Sequence, residues 1–171
     1  MTWPRDEPLD LTDGRAVASA VAQHLQTSML CAVGVELGLA NGRRLDVVGL
    51  TQYGTIRAVE VKVSRADFFA DKKIAYYLHY CDYLHLAVPE DMVSLLEFAD
   101  WAGLIHPRPG LMYVAANHGV KVVRKAEHQG AVPFPNRIDV IHRMAMRAGD
   151  PGFCPHCGWR RSRVPEPETV E

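Results

Sequence analysis

No run in this 171-residue chain approaches the roughly 20 apolar residues that a membrane span requires, and its opening, MTWPRDEPLD, has no apolar signal core. A cytoplasmic protein with no membrane contact is the expectation. Net charge is nearly absent as well, at -1. That excludes global basicity, so any nucleic-acid contact has to depend on local patches rather than on tight, non-specific coating. There is no Gly-rich phosphate loop, no Ser-His-Asp order and no dinucleotide fingerprint, and no internal repeat is visible. Cysteine is scarce, with four in all. Cys31 and Cys81 fall in segments expected to be buried, where a free thiol behaves as a small hydrophobe. What is plentiful is hydrophobic content, 48%, enough for one good core and too little chain for two full domains. The organisation expected is a flexible N-terminus over 1–13, one α/β domain over 14–148, and a C-terminal tail over 149–171.

The centre of interest lies between two β-like runs. Leu45 to Leu50 and Arg57 to Val63 are rich in Val, Leu and Ile, and Thr51-Gln52-Tyr53-Gly54-Thr55 between them suits a turn. The pattern predicts a β-hairpin. Alternation along the second strand puts Glu60 and Lys62 on one face and Val59, Val61 and Val63 on the other. A hairpin centred on Tyr53 places Asp46 opposite Glu60, so that all three polar side chains converge.

Two facing carboxylates repel unless a cation compensates them. A hard divalent ion fits oxygen ligands, and Mg²⁺ in particular is held through one or two carboxylates plus substrate phosphate. A neighbouring ammonium can then orient an attacking water and offset charge developing on phosphorus oxygens. The bland alternative is a solvated strand face with a surface ion pair worth about 0–1 kcal/mol. Against it, Asp46 and Glu60-x-Lys62 each sit in an otherwise apolar run, where unpaired charge is costly.

Beyond the lysine, Ser64 can cap a helix over Arg65 to His79, with apolar Phe68, Phe69, Ile74, Tyr77 and Leu78 near helical spacing. Arg65, Lys72 and Lys73 lie near its polar side, where phosphate contact and simple solvation are both open. Tyr83 to Val88 reads as a buried strand ended by Pro89, parallel to the hairpin's second strand. An earlier helix is expected over Gly14 to Gln26, further strands near Gly103 to His106 and Lys121 to Arg124, and a last helix over Asn136 to Arg147 with apolar Ile138, Ile141, Met144 and Ala145. The histidines within these elements, His24, His79, His85 and His106, read as hydrogen-bonded structural residues. At the C-terminus, Cys154 and Cys157 have the spacing of half a zinc knuckle. A structural zinc completed by other ligands and a redox dithiol are the two alternatives, with Arg160, Arg161 and Arg163 as a small basic patch alongside.

The Asp, turn, Glu-x-Lys arrangement resembles the PD-(D/E)XK nuclease superfamily. The longer stretch VEVKVSRADFFADKKIAYYLHYCDYLHLAVPEDM, Val59 to Met92, resembles the MmcB-type DNA-repair proteins of that superfamily, and the likeness runs from about Val33 to Lys125, including ELGLANGRRLDVVGL and AGLI. The resemblance implies a restriction-endonuclease-like mixed sheet flanked by helices. It also implies an Mg²⁺- or Mn²⁺-dependent DNA endonuclease, with Asp46 and Glu60 as metal ligands and Lys62 as catalytic lysine. The Val61 carbonyl joins as a third contributor, and Ser64 and Lys73 support or touch substrate. Asp67, Asp71, Tyr77 and Asp82 match further polar positions of the family. The first helix lacks the metal-binding Glu of many superfamily members, and Ile74 stands where the family has an aromatic residue. DNA is the expected partner, and a homodimer and repair partner proteins are compatible with it. Two rival readings are a catalytically silent DNA-binding repair module and a restriction- or phage-type nuclease whose knuckle recognises the target.

Overall fold

The computed structural model describes residues 7–71, 74–94 and 108–150. Helix α1, Gly14–Ser28, begins where the Asp13 carboxylate accepts from the Arg15 N–H, which satisfies one of the open amides of a helix start. Three strands follow in an antiparallel meander, β1 (Ala32–Gly38), β2 (Arg44–Leu50) and β3 (Ile56–Val61). Two short helices, α2 (Arg65–Ala70) and α3 (Ile74–Tyr77), and a 3-10 turn at Leu78–Tyr80 lead into β4 (Tyr83–Pro89), which lies parallel to β3. Strand β5 (Gly110–Val114) is parallel to β4, β6 (Val120–Arg124) is antiparallel to β5, and helix α4 (Phe134–Gly149) closes the described chain. The result is a mixed sheet of six strands in the order β1-β2-β3-β4-β5-β6, an α/β architecture as expected. Among the described residues no helix is long and apolar enough to cross a membrane.

Alternation along the strands divides the core in two. On one face Val35, Val47, Val59, Val61, Ala87 and Met112 pack beneath the apolar side of α1, chiefly Val17, Val21 and Leu25. On the other, Val48, Ile56, Ala58, Leu84 and Leu86 meet Phe68 of α2, Ile74 and Tyr77 of α3, and Val140 and Met144 of α4. The segment before α1 is tied to the first of these faces. Leu9 donates its N–H to the Ala116 carbonyl at 2.7 Å, and Leu9 and Leu11 pack on the α1 cluster.

Three expectations are corrected. The helix expected over Arg65 to His79 stops at Asp71, whose backbone is extended (φ -78°, ψ 103°) and whose side chain is drawn to Lys62. The last helix buries Val140 and Met144, whereas Ile138 stays exposed, because the side facing the sheet is offset from the apolar stripe read in the sequence. Gly110, in a stretch between the two expected strands that follows Pro107 and Pro109 and is not itself expected to pair, starts β5. A Cβ there would come within 2.3 Å of the His85 ring and 2.7 Å of the Ala126 amide nitrogen, so glycine is required by close approach rather than by a turn. The strand expected near Gly103 to His106 lies outside the described residues.

Candidate active site

The hairpin forms in the expected register. Val47 faces Val59 and Leu50 faces Ile56, a register that, extended by one residue, sets Asp46 against Glu60. The turn closes through Gly54, at φ 77°, whose N–H reaches the Thr51 carbonyl. At the far end of the hairpin the Asp46 carboxylate accepts from the Val61 N–H at 2.9 Å. Asp46 is thereby fixed against β3 by the very residue that separates Glu60 from Lys62.

Glu60 and Lys62 are each 5% exposed and share the α2–α4 face of the sheet. The Lys62 ammonium donates to Glu60 Oε1 at 3.2 Å and pairs with Asp71 Oδ2 at 2.7 Å, with Asp67 Oδ1 farther off at 3.9 Å. Three carboxylates thus surround one ammonium. The other Glu60 oxygen, Oε2, is buried with no hydrogen-bond partner among the described residues. Buried unpaired oxygens of this kind are rare because each forfeits its hydration without recompense.

Electrostatics records the same crowding. Burial first, and then the Asp46 charge, push Glu60 up to about 8, even though Lys62 pulls the other way. Burial likewise raises Asp46, against the Val61 hydrogen bond and the Lys62 charge. Burial alone would lower Lys62, but the Asp71 hydrogen bond and the charges of Glu60, Asp71 and Asp67 outweigh it and hold the ammonium protonated. Tyr77 of α3 belongs to the same neighbourhood: burial, then Glu60, Asp71 and Asp46, push its hydroxyl up to about 12. Glu36 of β1 adds negative charge near Asp46 while pairing with Arg44 at 3.3 Å. It sits at φ 52° within the strand, and Arg147 of α4 donates to its carbonyl at 3.0 Å and to that of Val35.

The raised Glu60 has a consequence for stability. Between about 4.5 and about 8 the folded protein keeps a proton that the unfolded chain has released, so this group's contribution is fully present below 4.5 and is lost as pH rises through 8. In chelator-treated protein, the fall in melting temperature between pH 5 and pH 8.5 is expected to be steeper for wild type than for Glu60→Gln. Equal slopes in the two proteins would show that Glu60 is ionised throughout.

The remaining site expectations divide clearly. Ser64 caps α2, its hydroxyl oxygen accepting from the Asp67 N–H at 3.1 Å, two residues beyond Lys62 on an exposed edge. Asp82 is not at this site: it pairs with Arg137 and accepts from the Ile56 N–H. Ile74 takes the place of the family's aromatic residue as a buried core side chain. Lys73, Cys154 and Cys157 lie outside the described residues. The histidines expected to be hydrogen-bonded include two with a buried ring nitrogen that finds no partner among the described residues, His85 Nδ1 and His24 Nε2. Burial first, and then Arg57, hold His85 down at about 4, so it stays neutral and tolerates the loss. The site members that periodicity missed are Asp71 and Tyr77; the family pattern marked both as polar positions without a role.

Among the described residues no three His, Cys, Asp or Glu side chains gather as a ready metal-binding group. Asp46 and Glu60 nonetheless suit a hard cation: both are oxygen donors, burial raises both, and among the described residues Glu60 Oε2 lacks a hydrogen-bond partner.

Comparison with known proteins yields a family and a fold. A family model described as DNA repair protein MmcB-like matches residues 10–150. A solved structure described as a protein of unknown function from Silicibacter pomeroyi is similar at 33% identity, with a TM-score of 0.67 over 82% of this chain and 88% of that one. No curated protein matches.

Proposed function

The chain belongs to the MmcB-like family of DNA repair proteins, and on that premise we propose that it is a metal-dependent endonuclease of the PD-(D/E)XK type, cutting phosphodiester bonds in DNA. The observation that carries this reading is the buried Glu60-x-Lys62 pair facing Asp46 across the hairpin, with one Glu60 oxygen unpartnered. Nothing in sheet packing alone calls for two carboxylates there.

Asp46 and Glu60 would hold Mg²⁺ or Mn²⁺, with the Val61 carbonyl as a further oxygen. A bound divalent ion supplies charge neutralisation at the phosphate and lowers the pKa of the attacking water. The Val61 N–H keeps the Asp46 carboxylate turned toward the site. Lys62, with three donors and two strong partners, has a proton left to orient water or to meet charge developing on a phosphate oxygen. Ser64, exposed at the start of α2, can donate its hydroxyl proton to a phosphate while its oxygen caps the helix. Lys73 is assigned to backbone contact on the family resemblance alone. The pairing of two of the three Lys62 donors with Glu60 and Asp71 favours a second reading, a silent module that holds DNA for partner proteins.

The test is cleavage of supercoiled plasmid, single-stranded DNA and a branched substrate with Mg²⁺ or Mn²⁺, comparing wild type with Glu60→Ala. Cation-dependent cutting by wild type that the substitution abolishes is the expected outcome. Folded wild type that binds DNA and cuts none of the three moves the assignment to the silent module.

A further inference from the structure

Lys62 is held by two carboxylates that play unequal parts, and the inequality points to a residue with no assigned role. Glu60 is on the same strand and is the one a cation would recruit. Asp71 is not. It ends α2 after six residues, at the point where the chain leaves helical geometry, and its carboxylate is as enclosed as the ammonium it meets, with side chains 6% and 7% exposed. Asp67, one turn earlier on the same helix, is half exposed and 3.9 Å away. Phe68 anchors α2 in the core, and Ser64 starts it two residues after Lys62. The helix therefore leaves the strand just beyond the lysine and brings its other end back onto that lysine.

We propose that Asp71 is a positioning residue that keeps the Lys62 ammonium aimed into the site when Glu60 is drawn to a divalent cation. This rests on the nuclease reading above. Without Asp71, a Glu60 turned toward a cation would leave Lys62 with the distant, solvated Asp67 as its nearest charge partner, on a flexible four-carbon stem. The ammonium would then be present but misplaced, and misplacement by about 1 Å can cost on the order of 10²-fold in rate. Asp71 touches neither cation nor substrate in this scheme, so cation affinity and KM should be indifferent to it.

The experiment measures kcat, KM and Mn²⁺ affinity for wild type, Asp71→Ala, Asp71→Asn and Asp71→Glu, with the Lys62 ammonium followed by ¹⁵N NMR in the Mg²⁺-loaded proteins. Expected is a fall in kcat of about 10- to 100-fold for Asp71→Ala, KM and Mn²⁺ affinity unchanged, partial recovery in Asp71→Glu, and loss of the protected Lys62 ammonium signal. If Asp71→Ala does not fold, the same split is read from Asp71→Asn, which keeps an acceptor and loses the charge. Wild-type kcat in these variants, or a loss confined to Mn²⁺ affinity, overturns the proposal while leaving the nuclease reading standing. Wild type that cuts nothing overturns the nuclease reading, and the ammonium signal then decides separately whether Asp71 holds Lys62: persistence in Asp71→Ala overturns that too.

Discussion

Replacing Lys62 with methionine is expected to lower the rate of cation-dependent DNA cleavage by about 10²- to 10³-fold, the usual cost of removing one preorganised donor from a developing negative charge. Methionine keeps the length of the stem, so the loss reports the ammonium rather than packing. The substitution also strands Glu60 and Asp71, two enclosed carboxylates that share the lysine at 3.2 and 2.7 Å. Removing one partner of a buried pair costs about 3–5 kcal/mol. Glu60 has an escape that most buried carboxylates lack: with its pKa already pushed up to about 8, it can take a proton and become neutral. Losing Lys62, which pulls that pKa down, favours the neutral form further, so the stability loss should be smaller near pH 6 than at pH 9, where wild-type Glu60 is ionised beside the lysine, while Asp71 is stranded at either pH. Urea unfolding at the two pH values, in chelator, measures the difference, and single-turnover cleavage measures the rate. Lys62→Arg, which keeps the charge but spreads it over a planar fork, should restore stability better than rate. A Lys62→Met protein that cuts at the wild-type rate would remove the lysine from the chemistry altogether.

How much of this was legible beforehand follows from the range of the interactions. The hairpin register could be read because slipping by one residue would turn Val47 and Val59 away from α1 and expose every apolar side chain on that face. Helix α1 was legible for a similar local reason, since Asp13 caps it and its apolar side repeats at helical spacing. The helix break at Asp71 was not. The residues around it are ordinary helix formers, and what ends α2 is the attraction of a lysine on the preceding strand. Strand β5 was hidden because Gly110 follows two prolines and reads as part of a turn, whereas its role is to let the His85 ring and the Ala126 backbone approach. In the site, Asp46, Glu60 and Lys62 were visible as charges interrupting apolar runs. Asp71 and Tyr77 sit in a polar, amphipathic stretch where one more aspartate or tyrosine is unremarkable, and only the folded chain shows them around the same lysine. Asp82 is a family-matched polar position whose partner, Arg137, stands 55 residues away and makes it part of the scaffold.

That scaffold pair carries the largest stability effect expected outside the site. Arg137 of α4 donates to the Gly54 carbonyl at 2.7 Å and to Asp82 Oδ2 at 3.2 Å, with its second nitrogen on Asp82 Oδ1. Asp82 Oδ2 in turn accepts from the Ile56 N–H at 2.7 Å, and the Asp82 N–H donates to the Ile56 carbonyl. One guanidinium and one carboxylate therefore join the hairpin turn, the start of β3, the approach to β4 and helix α4. Arg137→Ala leaves Asp82, 6% exposed, without its countercharge and the Gly54 carbonyl without its donor, at a cost of about 3 kcal/mol, the lower part of the range for a broken buried pair because the arginine is itself partly solvated. For a chain of this size that corresponds to a fall of roughly 6–12 °C in melting temperature. Arg137→Lys should recover less than half, because a point charge cannot span both carboxylate oxygens and the turn carbonyl together. Below its melting point the Arg137→Ala protein should still cleave at close to the wild-type rate, since Glu60 and Lys62 sit toward the other end of β3, braced by α2 rather than by α4. Differential scanning calorimetry paired with cleavage at 15 °C separates this from Lys62→Met, which is expected to be slowed about 10²- to 10³-fold while folded. If Arg137→Ala instead loses activity at a temperature where it is fully folded, the hairpin turn and the acidic site are coupled through Asp82.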